Sequence, residues 1–140
     1  MRFMIIRKAD RNTEAGVMPG EPLLAAMMNY NQEMLKAGVF VTGEGLRPSS
    51  SGVRIKFAGG KPTVTDGPFA ETKELIAGFT MIQVKSRDEA IAWLKKWPRE
   101  DGDVELELRQ VFDADDFGDA LTPELREQEQ RMRAQTSGKS

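Results

Sequence analysis

The chain has 140 residues, the length of one ordinary domain, with 39% apolar and 30% charged residues and a formal net charge of -2. It contains no histidine and no cysteine. That excludes disulfides, thiolate nucleophiles, Cys/His zinc sites, the Ser-His-Asp triad and any imidazole acid or base. The slightly acidic balance, with basic residues scattered among acidic ones, argues against nucleic acid or anionic lipid as a partner.

The opening Met1-Arg2-Phe3-Met4-Ile5-Ile6-Arg7-Lys8 has too short an apolar run for a signal or membrane segment. A cytoplasmic location with no membrane contact is the expectation. Residues 2–8 read as a strand that is apolar on both faces, Phe3 and Ile5 against Met4 and Ile6. Residues 9–21 are polar, carry Gly16, Pro19 and Gly20, and read as a loop. Pro22 then suits the first turn of a helix. Leu23, Leu24, Met27, Met28, Tyr30, Met34 and Leu35 recur at helical spacing as far as Gly38. Val39 to Thr42 is a short strand, and Gly43 to Gly52 is a loop rich in Gly, Ser and Pro.

Val53 to Phe57 alternates, Gly59-Gly60 turns and Pro62 to Thr65 returns, which predicts a hairpin with Pro62 at an edge. Residues 63–79, TVTDGPFAETKELIAGF, lead into Phe79 to Lys85, a second strand apolar on both faces. Ser86 and Glu89 form a capping box for a helix whose buried face is Ala90, Ile91, Leu94 and Trp97, ended by Pro98. Val104 to Phe112 is the last strand, with Glu105, Glu107 and Arg109 on one face. Thr122-Pro123 opens a charged helix to about Ala134, and 135–140 is expected to be a disordered tail.

This order is α+β: a ferredoxin-like split β-α-β sheet with helices on one face, over residues 1–112, and a helical extension with its tail over 113–140. In that fold the first and third strands are central, and here they are the two runs apolar on both sides. Leaving the helix-free side of those strands wet would cost roughly 1.5–3 kcal/mol per large side chain. A second copy covering it makes a dimeric α+β barrel; the terminal helix folding back is the alternative.

Candidate site residues follow from the same pattern. Asp66 is either a turn residue or a base at a strand end facing a pocket, and Phe69 its wall or anchor. Lys73 is a solvated charge or an anion holder at the pocket mouth. Glu44, between two glycines, is turn chemistry or a pocket acid. Tyr30 is core or wall, and Arg109 is an anion holder if its face is covered. The sequence calls for no metal and no cofactor.

The stretch VTDGPFAETKELIAGF, with GEGLRPSSSGVRIKFAGGKP before it and VELELRQVF after it, resembles the YCII-related, DGPF-motif family over about residues 1–112. The resemblance implies a ferredoxin-like fold in a dimeric α+β barrel, with a cleft beside Asp66. Related YCII proteins carry a proposed His-Asp pair, of which this chain offers only the Asp. The expected function is a homodimer that binds a small polar or anionic molecule, with Asp66 as base if it runs a cofactor-free acid–base step. Many DGPF proteins are encoded beside extracytoplasmic-function sigma factors, so the alternative is a non-catalytic accessory protein whose partner is a sigma factor.

Overall fold

The side chains of the first strand divide between two environments, and the sheet is arranged around that division. In the computed structural model, which describes residues 1–137, chain order runs β1 (Arg2–Lys8), a single helical turn α1 (Arg11–Glu14), α2 (Glu21–Lys36), β2 (Phe40–Gly45), β3 (Val53–Ala58), β4 (Lys61–Asp66), β5 (Ile76–Gln83), α3 (Arg87–Leu94), β6 (Leu106–Gln110) and α4 (Pro123–Ser137). Four strands form an antiparallel sheet in the order β2-β5-β1-β6, and β3 and β4 form a separate ribbon. With the ribbon set aside this is the ferredoxin-like arrangement, and β1 and β5 hold its centre.

The inward phase of the central strands is Phe3 and Ile5 on β1 with Thr80 and Ile82 on β5, all buried. They pack with Tyr30 and Met34 of α2 and Ala90 of α3. The opposite face is read from the register. One row across the sheet is Thr42, Met81, Met4, Arg109, and the next is Glu44, Phe79, Ile6, Glu107. Met4, Ile6, Phe79 and Met81 are only half-buried there.

Several local readings change. The loop expected over 9–21 contains α1, because Asp10 accepts a hydrogen bond from Thr13 N while Thr13 Oγ1 accepts one from Asp10 N. A threonine in place of the usual Glu or Gln at N3 disguised this capping box. Gly43 to Gly45 are strand, not loop, because β5 offers them a ladder partner. The backbones there approach closely: a Cβ on Gly78 would sit 2.9 Å from Glu44 O. Strand β5 begins earlier than expected, at Ile76, and β6 is shorter, Leu106–Gln110. At α3, Ser86 Oγ accepts from Glu89 N as expected, but Glu89 Oε2 accepts from Lys85 N rather than Ser86 N.

The ribbon turns through Gly59 and Gly60, both at positive φ, as a two-residue hairpin needs. All its strand residues are exposed, and Val53, Ile55, Phe57, Pro62 and Val64 share one face. It re-enters the fold through Asp66-Gly67-Pro68-Phe69, where the Gly67–Pro68 bond is cis. Gly67 N–H donates to Gly52 O at 2.9 Å, and Phe69 N–H donates to Ser49 Oγ at 3.1 Å. Ser49 in turn donates its N–H and its hydroxyl to the Glu14 carboxylate. Arg54 lies over the Phe69 ring, 3.9 Å from its centroid.

The chain separates into two units, Met1–Gln110 and a second from Val111 onward. The second unit holds a 3-10 stretch, Ala114–Ala120, and α4. Within it Phe112 and Phe117 stack tilted at 5.2 Å, and Arg126 pairs with Asp115 at 3.1 Å. Thr122 accepts from Leu125 N at the start of α4, as expected. The helix then runs beyond Ala134 through Ser137, over part of the expected tail; residues 138–140 of that tail lie outside the described residues. No helix among the described residues is long and apolar enough to cross a membrane.

The corner makes a direct prediction. A Cβ on Gly67 would fall 1.8 Å from the carbonyl oxygen of Ser49, whereas one on Gly45 meets nothing within 4 Å. Gly67→Ala is therefore expected to cost at least about 1–3 kcal/mol in urea unfolding, and Gly45→Ala under about 0.5 kcal/mol. Equal effects would show that the corner is not held against the Ser49 loop.

Candidate functional site

Arg7 is the third residue on the inward phase of β1, after Phe3 and Ile5. Its side chain is 12% exposed, so its charge must be matched locally. Two carboxylates do this. Nε donates to Asp101 Oδ2 at 3.1 Å and Nη2 to Asp101 Oδ1 at 2.9 Å, a bidentate fork. Nη1 donates to Asp10 Oδ2 at 3.0 Å and to Lys8 O at 2.9 Å. Trp97 Nε1 donates to Asp101 Oδ2 at 2.9 Å. The fork hydrogen bonds from Arg7 to Asp101 hold the guanidinium above its ordinary pKa, against the opposing effect of burial. The Thr13 backbone N–H, followed by Arg7, holds the Asp10 carboxyl below its ordinary value, again against burial.

This cluster forms the polar floor of a cavity of about 580 Å³ on the helix side of the sheet. Leu23, Leu24 and Met27 of α2, with Met18, Leu46 and Trp97, supply the apolar wall. Arg47 stands at the rim. Its backbone segment is pinned on both sides: Leu46 N–H donates to Ala77 O at 2.8 Å, and Ser49 N–H donates to Glu14 at 2.9 Å. A second cavity, about 480 Å³, shares Arg7 and Asp10 and adds Lys8, Lys73, Asp103 and Glu105.

The residues selected from sequence do not converge. Tyr30 is buried in the core with its hydroxyl donated to Trp93 O at 2.6 Å and its ring edge-on to Trp93 and Trp97. Burial raises its pKa, with the charge of Glu33 adding to the effect. Glu44 and Arg109 both lie on the helix-free face, but on opposite edge strands, three strand spacings or about 14 Å apart across the sheet, and in different rows along it. Arg109 lies 3.9 Å from Glu107 of its own strand. Asp66 is exposed at the end of β4, opposite Val53. Phe69 is half-buried beneath Arg54, and Lys73 lines the smaller cavity. Asp66, Glu44 and Arg109 line neither cavity.

Sequence reasoning missed Arg7, Asp10, Asp101 and Arg47. One signal was available: an arginine on the inward phase of a strand apolar on both faces must find a carboxylate. Its identity was not readable, because Asp101 is 94 positions away.

Residues 1–114 match the YCII-related domain, and the chain belongs to that family. An uncharacterized protein of Rhizobium meliloti is 32% identical over 71 residues, 51% of this chain and 57% of that relative. The aligned region thus spans little more than half of the relative's length. Among solved structures, the 5-chloro-2-hydroxyhydroquinone dehydrochlorinase of Burkholderia phenoliruptrix, in complex with 2,5-dihydroxybenzoquinone, superposes with a TM-score of 0.46 at 16% identity, over 80% of this chain and 94% of that one.

The depressed Asp10 pKa sets a pH dependence. A carboxyl with a lower pKa in the folded state adds stability above its unfolded pKa, about 3.9, and loses it as pH falls through the folded value. Wild type should therefore be more stable than Asp10→Asn at pH 7, and the gap should close below about pH 4 in thermal melts. A gap that is constant with pH would show that the carboxylate charge contributes nothing.

Proposed function

We propose that the YCII-related unit binds a small organic molecule in the larger helix-side cavity and works as a homodimer closed through the helix-free sheet face. The observation that carries the binding reading is the cavity itself. Its wall is largely apolar, its volume falls in the ordinary range for small-molecule sites, and its lining includes the charged Arg7, Asp10, Arg47 and Asp101. A partly buried, hydrogen-bonded ion-pair cluster gives it a fixed polar boundary.

Support for the dimer comes from the two residue rows on the open face. Met4, Ile6, Phe79 and Met81 lie in the middle, with Thr42 and Glu44 at one edge and Glu107 and Arg109 at the other. An apolar centre within a polar rim is the usual anatomy of an interface. Covering that face would desolvate Glu44 and Arg109. A role for Asp66 in an acid–base step would require a covering element, because its side chain stands exposed at the end of β4 and lines neither cavity.

Two measurements test these readings. The uncharged dye phenylnaphthylamine should bind at one saturable site per chain, and Leu24→Trp, a substitution on the exposed cavity wall, should abolish it. Unchanged dye binding in that variant would remove the cavity as the site. In sedimentation at micromolar concentration the wild type should be a dimer and Ile6→Asp a folded monomer; a monomeric wild type would end the closure reading.

A further inference from the structure

The charged groups lining the larger cavity are Arg7, Asp10, Asp101 and Arg47. Three of them are engaged with one another. Asp101 accepts the Arg7 fork and the Trp97 indole, and Asp10 accepts Arg7 and caps α1 through Thr13 N. Their summed charge is negative, yet their oxygens already receive hydrogen bonds from fixed donors. Arg47 differs, because among the described residues no carboxylate or carbonyl pairs with its guanidinium. It stands where two backbone tethers fix the rim, beside an apolar wall.

An unpaired guanidinium on a fixed rim offers a planar fork of donors to an incoming oxyanion. The apolar wall beside it rewards a hydrocarbon or aromatic body. A cationic ligand would meet Arg47 at the entrance and carboxylates already occupied inside. A wholly polar ligand would strip water from Leu23, Met27 and Trp97 without replacing its own hydrogen bonds.

We propose that the cavity takes an amphipathic organic anion, its carboxylate or sulfonate held by Arg47 at the rim and its apolar body against Leu23, Met27 and Trp97. The inference rests on the cavity being the ligand site, and it adds both the chemical class of the ligand and the residue that selects it. It also gives the Ser49–Glu14 clamp a consequence: the motif that holds the ribbon corner holds the same loop that presents Arg47.

The test uses two dyes of one aromatic skeleton, anilinonaphthalene sulfonate and uncharged phenylnaphthylamine, with the full chain. Arg47→Gln should weaken the sulfonate dye by about tenfold, the size of a lost charged hydrogen bond, and change the neutral dye by less than about twofold. Arg47→Lys should recover part of the sulfonate affinity, and added salt should weaken that dye alone. Leu24→Trp should abolish both. If Arg47→Gln leaves both dyes unchanged while Leu24→Trp displaces them, anion selection by Arg47 is wrong and the cavity reading survives. If Leu24→Trp leaves both bound, or if neither binds wild type, the cavity reading falls and this inference falls with it.

Discussion

Two strands, β1 and β5, must satisfy two environments at once, and the rest of the structure depends on that constraint. Their inward side chains, Phe3, Ile5 and Ile82, are sealed under α2 and α3. Each such burial contributes roughly 1.5–3 kcal/mol, so the helices have no freedom to move to the other side. Strand alternation then forces Met4, Ile6, Phe79 and Met81 onto the opposite face, which carries no helix. The same alternation that makes the pair central therefore leaves half-buried apolar side chains on the helix-free face.

The DGPF segment acts first as architecture. Gly67 is required because Ser49 O occupies the space of a side chain, and the Phe69 N–H completes the hydrogen bonding of Ser49. Glu14, from a helical turn far back in the chain, closes the network. Three loops thus become one rigid corner within the first unit. One side of that corner carries the ribbon, and the other leads through Pro48 to Arg47 at the cavity rim. A short motif is therefore tied through one loop to a cavity that it does not line.

Arg7 shows how chemistry enters an apolar layer. A guanidinium on the inward phase of a central strand is tolerable only with near-complete hydrogen bonding. Asp101, Asp10 and the Lys8 carbonyl provide it, while Trp97 shares Asp101 and joins this polar floor to the aromatic cluster around Tyr30. The cluster also marks where the core ends: beyond Ile5 the layer between sheet and helices opens into the cavity.

Amino-acid order alone determined the architecture. Apolar side chains on both faces of residues 2–8 and 79–85 made those strands central, and the alternation of Val104 to Arg109 set the inward and outward sides of the last one, because strand periodicity is a local property of the backbone. Gly59-Gly60 fixed the ribbon turn for the same local reason. Only the tertiary structure decided the site. Asp101 reaches Arg7, Ser49 reaches Glu14, and the Tyr30 hydroxyl donates to Trp93 O within the core. These outcomes depend on which distant segments share a volume, and a partner many positions away leaves no periodic trace in the chain that meets it.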